Sequence, residues 1–238
     1  VISNKIDTET GKMDMVDQVS YQAFRQNIAA DLSFQVNKCE VTIQLLEKPN
    51  RAKYIYSYDV TNLTGQPVPE WSHIIPAPGT KVTSISATDE KGGLQFTVSD
   101  NSQDKTELEI KFRNELEAGQ SYNFEFSYES RTNSIVTYSF ITQVIIYTDW
   151  FINDAPCKLL KITINLPNKS NLLKSVPPSN LDNNSIIYSE KDLRPLEYFS
   201  VLASYKRTRL GRNFWQWLGS AIVSGMVGVI LTVLFTAP

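Results

Sequence analysis

His73 is the one histidine among 238 residues, and it stands in Glu70-Trp71-Ser72-His73. A serine or cysteine nucleophile needs a neighbouring base to take its proton. Any catalytic triad in this chain must therefore be built on that single imidazole. No Gly-x-Ser-x-Gly elbow is present to present a serine. A zinc site would need His73, Cys39, Cys157 and a carboxylate to converge, and no paired-ligand spacing draws them together. There is no phosphate-cradling glycine loop and no dinucleotide fingerprint. Asp89-Glu90 is a carboxylate pair in turn-like sequence, where solvated charge is the expectation. Asp100-Asn101-x-x-Asp104 collects the hard oxygens calcium takes, but without the ordered ligand series of a calcium loop. The residues thus predict a chain that is not an enzyme, with no metal and no cofactor.

Binding chemistry is better represented than catalysis. The stretch Gly65–Gly79, GQPVPEWSHIIPAPG, holds Pro67, Pro69, Pro76 and Pro78 around Trp71, His73, Ile74 and Ile75. It reads as a long loop, and long loops in compact domains are often functional. Proline stiffens such a loop and lowers the ordering cost of binding. Pro69, Trp71, His73, Ile74 and Pro76 are the candidate contact residues. Trp150 and Phe151 offer a second aromatic contact. Alternatively, Trp71 and the two isoleucines plug one end of the fold.

These residues must be positioned by strands. Alternation of apolar and polar residues marks strands at Leu32–Leu46, Lys53–Asn62, Lys81–Ala87, Leu94–Ser99, Thr106–Phe112, Ser121–Ser130 and Ser134–Phe151. Tyr122, Phe124, Phe126 and Tyr128 form one aromatic face, with Asn123, Glu125 and Ser127 on the other. Turn chemistry separates the runs at Glu90-Lys91-Gly92-Gly93 and Glu117-Ala118-Gly119-Gln120. Residues 32–151 are therefore read as a β-sandwich. Lys158–Leu166, Ser185–Tyr188 and Leu196–Tyr205 are further strands. The proline-bearing Asn168–Asn184 between them reads as a loop. Residues 152–205 either extend the sandwich or form a small second β-domain. Residues 1–31 carry apolar positions at approximate helical spacing, with Asp14 as a cap. Cys39 and Cys157 are too few for a disulfide framework and read as buried free thiols.

The corner Leu116-x-Ala118-Gly119-x-x-Tyr122, leading into an alternating strand, resembles the E–F corner of fibronectin type III and related immunoglobulin-like sandwiches. That resemblance implies an all-β immunoglobulin-like fold. It also implies a Tyr122 hydroxyl bonded back to the corner backbone. The usual proline is Ala118 here, and the likeness covers seven residues.

The last part of the chain has a different solvent in mind. Phe214–Thr236 contains no charged residue. As a helix its roughly 23 residues span ~34 Å, enough for a hydrocarbon core of about 30 Å. Lys206, Arg207, Arg209 and Arg212 form a basic juxtamembrane segment over 206–213, and Trp215 and Trp217 take the interfacial position. The basic flank predicts a cytoplasmic N-terminal body and a single-pass tail anchor. Ser220, Ser224 and Gly228 recur every four residues, flanked by Ala221 and Gly225. That small-residue face predicts helix association.

Upstream of Lys206 the chain has 19 Lys and Arg against 25 Asp and Glu, a mildly acidic body. No basic stripe with interleaved aromatics runs through it, so no nucleic-acid partner is expected. The partners expected are a lipid bilayer, further copies of the chain, and an unidentified protein or small-molecule ligand. The leading expectation is a membrane-anchored binding or sensor module. The alternative is a membrane-perturbing or pore-forming effector, as in bacterial defence systems that pair a sensor with a membrane helix. Asn62-Leu63-Thr64, Asn168-Lys169-Ser170 and Asn183-Asn184-Ser185 match the glycosylation pattern, which a cytoplasmic body would not use.

Overall fold

The computed structural model describes residues 31–208, apart from 48–49, 77–81, 102–104, 139–141, 180 and 183. Every regular element among them is a strand: β1 (Phe34–Leu45), β2 (Arg51–Asn62), β3 (Val68–Pro76), β4 (Thr83–Asp89), β5 (Gly92–Gly93), β6 (Phe96–Asn101), β7 (Lys105–Leu116), β8 (Ser121–Arg131), β9 (Asn133–Tyr138), β10 (Thr142–Ile152), β11 (Cys157–Asn165), β12 (Ser170–Val176), β13 (Leu181–Asp182), β14 (Ser185–Leu193) and β15 (Tyr198–Thr208). The cause is legible in β2, RAKYIYSYDVTN. Its Ala52, Tyr54, Tyr56, Tyr58, Val60 and Asn62 are buried, and the residues between them are not. A period of two places one set on the core and the other toward water.

The strands form two layers. The base is an eight-stranded sheet in the order β13-β14-β11-β1-β2-β8-β4-β5. Above it lie a three-stranded sheet, β3-β7-β6, and a four-stranded sheet, β12-β15-β10-β9. The three-stranded sheet packs on the base through Phe34–Trp71 (5.0 Å between ring centroids), Tyr58–Trp71 (5.3 Å) and Phe126–His73 (4.8 Å). The four-stranded sheet reaches the same face through Tyr54, Tyr58 and Tyr188, which contact Asp149, Asn153 and Phe199 respectively. Burying each large side chain stabilises the fold by about 1.5–3 kcal/mol. The two inner faces share one continuous core.

This arrangement is all-β and a sandwich in the broad sense. It is not the seven-strand topology that the corner resemblance implies. The base has eight strands among the described residues, and β1 and β11 pair in parallel at its centre. A parallel pair needs a long crossover. Here everything from the end of β1 to Pro156 supplies it, so β3, β6, β7, β9 and β10 of the upper layer precede the return of β11 to the base, and β12 and β15 follow it. The corner itself forms, with Gly119 at φ 73°. Its backbone is held by Asn62, whose Nδ2 donates to Leu116 O at 2.7 Å, and whose own carbonyl accepts from Gly119 N at 2.8 Å. The Tyr122 hydroxyl donates instead to Asp89 Oδ2 at 2.7 Å. Seven residues specify a local turn, and strand partners elsewhere decide the topology.

Several element boundaries also differ from expectation. Ser134–Phe151 is two antiparallel strands, β9 and β10. The residues joining them, Ser139-Phe140-Ile141, include no Gly, Pro, Asn or Asp to mark the reversal. Asn168–Asn184 contains β12 and β13. β12 is an edge strand and largely exposed, so it needs no apolar alternation. Gly65–Gly79 contains β3, whose prolines suit an edge strand. Pro69 sits at a register shift between Val68 and Glu70. β15 continues through Lys206 and Arg207, where a juxtamembrane segment was expected. Arg207 Nη1 donates to Glu47 O at 2.8 Å, and its Nη2 pairs with the Glu47 carboxylate.

The helical reading of the first 31 residues falls outside the described residues but for Asp31, and the membrane helix with Arg209, Arg212, Trp215, Trp217, Ser220, Ala221, Ser224, Gly225 and Gly228 falls wholly outside them. Among the described residues no helix is long and apolar enough to cross a membrane.

A candidate binding cleft between the sheets

Because the upper layer is split, part of the base is roofed by neither small sheet. The gap is a cleft of about 180 Å³. Its floor comes from β2 and β8, with Tyr54, Tyr56 and Tyr128. One wall is β3, with His73, Ile74 and Ile75, and the other is the end of β10, with Asp149 to Asn153. Arg131 and Thr132 line it where β8 leaves the base for β9.

The floor is an aromatic ladder. Tyr54 faces Tyr128 across the strands, and Tyr56 faces Phe126. Each pair is stacked with centroids 5.0 Å apart. Stacked rings stand upright on the sheet, so their hydroxyls reach toward the upper layer. Tyr54 donates to Asp149 Oδ2 at 2.8 Å, and Tyr147 donates to the same oxygen at 2.7 Å. Asp149 Oδ1 accepts from Trp150 N at 2.8 Å. Both phenolic protons are spent on the carboxylate, so the 3.4 Å contact between the Tyr54 and Tyr147 oxygens carries no hydrogen. Burial first, and the Asp149 charge second, push both phenols well above their ordinary range. They remain protonated donors to the carboxylate.

His73 is buried among Tyr56, Tyr58 and Phe126. Burial pushes its pKa down to about 3, so the ring is neutral at physiological pH. The Tyr58 hydroxyl donates to Asn153 Oδ1 at 3.0 Å. Its oxygen then accepts from His73 Nδ1 in a long contact of 3.5 Å. That network assigns the proton to Nδ1 and a lone pair to Nε2. Among the described residues no serine or cysteine is hydrogen-bonded to this neutral imidazole.

The residues singled out from sequence are now placed. Trp71 is buried in the core, 1% exposed, and its Nε1 has no hydrogen-bond partner among the described residues. Pro69 is exposed, away from the cleft lining, and Pro76 ends β3. His73 and Ile74 line the cleft opposite Trp150 and Phe151. Lys206 is exposed on β15. Cys39 and Cys157 are free thiols buried on neighbouring strands. Burial pushes the Cys157 thiol up to about 11. Asp89 is not the solvated carboxylate expected. Its side chain is 3% exposed and is clamped by Arg113, with Nε to Oδ2 at 2.9 Å and Nη2 to Oδ1 at 2.8 Å. Arg113, then Tyr122, holds its carboxyl well below the usual range. The calcium-like Asp100–Asp104 segment lies at the end of β6 and partly outside the described residues. Among the described residues no three His, Cys, Asp or Glu side chains group as a metal ion needs.

Tyr54, Tyr147, Asp149 and Asn153 were not singled out from sequence. A signal existed for Asp149: it follows Tyr147 by two residues, which puts a carboxylate on the inward face of an apolar strand.

No family model and no curated protein matches the sequence. Solved structures of similar shape include the M1 zinc metallopeptidase of Deinococcus radiodurans. Its identity is 7% and its TM-score 0.43, over 74% of this chain and 43% of that one. A single-residue mutant of the same enzyme gives 8% and 0.42, over 72% and 42%. The chain thus spans about two fifths of the length of the structures it matches. Both are enzymes, so the expectation that this chain is not one is withdrawn. A likeness this slight carries no argument for any activity in its place.

Proposed function

We propose that the chain is a membrane-attached binding or sensor module whose small-ligand site is the cleft between the three sheets. The observation that carries the reading is the floor of upright tyrosines joined to Asp149. Buried polar groups at the base of a cavity fix a ligand's orientation. The packed core holds them without a ligand, so little ordering remains to be paid on binding. The uncharged run over 214–236 supports attachment by a spanning helix, with the body on the cytoplasmic side and association through Ser220, Ser224 and Gly228. Arg207 is engaged with Glu47, which leaves Lys206, Arg209 and Arg212 as the basic flank.

The test is a thermal-shift screen of the full chain in lipid nanodiscs against small polar compounds, repeated with Ile74→Trp to fill the cleft. The expected result is stabilisation that the variant abolishes while its unliganded melting temperature changes little. Hits that bind the variant equally well would refute the site. For the helix, replacing Ser224 and Gly228 by Leu should shift a cross-linked ladder toward monomer; an unchanged ladder would refute association.

The small-residue face also favours a second reading, a membrane-perturbing effector triggered through the β-body. Release of dye from liposomes by the full chain tests it. No release in any oligomeric state, with or without a cleft ligand, would dismiss it.

A further inference from the structure

β15 stays paired in its sheet almost to the uncharged run. Gln143 of β10 and Ser170 of β12 both pair with Arg207, and Thr142 pairs with Thr208. Arg207 is also tied to Glu47, between β1 and β2. We propose that the end of the body where β15 finishes docks on anionic lipid headgroups, with Lys169 and Lys206 as the contacts. The inference rests on the membrane-attachment reading above and adds which end of the body meets the bilayer.

Tether length is the first reason. Only residues 209–213 separate β15 from the run that begins at Phe214. Those five residues, fully extended, span at most about 18 Å. The end of the body at Thr208 is therefore confined near the headgroups. β2, 12 residues long, sets the opposite end of the base roughly 40 Å away. The screening length at physiological ionic strength is about 8 Å. Charge at the near end can thus meet the surface, while charge at the far end is screened from it.

The distribution of charge is the second reason. Lys206 is exposed, with Asn171 as its neighbour across the ladder, and Lys169 is exposed one residue before Ser170. Arg131 reaches the same end of the base, opposite Arg51. None of Lys169, Lys206 and Arg131 is in an ion pair among the described residues. Against them stand Glu47, taken by Arg207, and Asp182 on β13. The far end, around the Gly119 corner, is the reverse. Glu90, Glu115 and Glu117 are exposed there against Lys91, and Arg113 is spent on Asp89. The body is basic where the tether leaves it and acidic where it points away, a polarity that an anionic leaflet orients.

The third reason is that Lys169 stands on a braced turn. Asn184 Nδ2 donates to Leu166 O at 2.6 Å and to Pro167 O at 3.2 Å, and Ser170 N donates to Pro167 O at 3.2 Å. A basic group on a fixed backbone meets the surface with little left to order.

The experiment places a fluorophore on the full chain at Asn168→Cys or, at the far end, at Glu117→Cys. The native thiols are each 1% exposed and stay unlabelled. Nanodiscs of phosphatidylcholine, alone or mixed with phosphatidylserine, carry a lipid whose spin-labelled headgroup quenches a nearby dye. Quenching at position 168 should exceed that at position 117 and should rise with phosphatidylserine. Salt at ~1 M, where the screening length is about 3 Å, should remove that rise. Lys169→Glu with Lys206→Glu should lower the ratio of docked to free body by at least about 25-fold, roughly fivefold for each lysine lost. Both lysines are exposed, and a melting curve in detergent checks the variant. If it melts lower, Lys169→Gln with Lys206→Gln is read in its place. Equal quenching at the two positions, no response to phosphatidylserine, or no effect of the substitutions overturns the docking and leaves the attachment standing. A chain that does not enter the nanodiscs overturns the attachment itself, and the docking with it.

Discussion

Removing the side chain of Asn62 should cost this fold more than its size suggests. The residue is 0% exposed. Its Nδ2 donates to Gln66 O at 2.8 Å and to Leu116 O at 2.7 Å, and its Oδ1 accepts from Thr64 N and Thr64 Oγ1, both at 2.8 Å. It thus ties the end of β2 to the end of β7 and to the turn that leads to β3. In Asn62→Ala the Leu116 carbonyl loses a buried donor, which costs about 1–3 kcal/mol. The other three bonds are partly accessible, and water replaces them at roughly 0.5 kcal/mol each. The expected loss is about 3 kcal/mol. Asn62→Asp retains the Thr64 bonds but aims a carboxylate oxygen at two carbonyls, so its loss should be no smaller. Urea unfolding of the full chain followed by tryptophan fluorescence reads both. With a slope of about 2 kcal/mol per M, the Asn62→Ala midpoint should fall by roughly 1.5 M. A loss below about 1 kcal/mol, or an aspartate variant as stable as the parent, would refute the reasoning.

Three further outcomes follow from the charged and titrating groups. Burial, and next the charge of Asp31, push Asp154 up to about 6 from an ordinary 3.8. The folded state therefore holds this proton more tightly than the unfolded chain, and stability falls as pH rises from about 4 to 6, by at most ~3 kcal/mol. Asp154→Asn should flatten that slope and raise stability at pH 7; an unchanged slope counts against it. Asp89 has the opposite sign: its depressed carboxyl stabilises the fold above the ordinary carboxylate range and is lost in acid. Arg113→Ala should accordingly move the acid-unfolding midpoint to higher pH, as circular dichroism would show. Finally, the single imidazole should give a proton resonance that does not titrate between pH 5 and 8, because burial keeps His73 neutral. A midpoint near 6.5 would place the ring in water.

How much was legible beforehand differs from element to element. β2 and β8 were plain because each buries one face and wets the other, so the period-2 rule applied without interference. β3 was not, because four prolines in fifteen residues are a loop signal. Pro69 and Pro76 are tolerated within β3 because it is an edge strand, a fact about its neighbours and not about its composition. β12 was missed for a related reason, since an exposed edge imposes no apolar pattern.

The same division holds for the site. Sequence alone determined that the protein is β-rich, that Tyr122, Phe124, Phe126 and Tyr128 share one face of a strand, that one histidine carries all imidazole chemistry, and that Phe214–Thr236 is apolar enough for a bilayer. Those properties follow from the chemistry of residues close together along the chain. Tertiary structure alone decided that β11 pairs with β1 across more than a hundred residues, that the upper layer divides into two sheets, and that the division leaves a cleft between His73 and Asp149. The reason is physical. A strand's pattern says which face is buried, but many partners satisfy the same face, and only the assembled core selects among them.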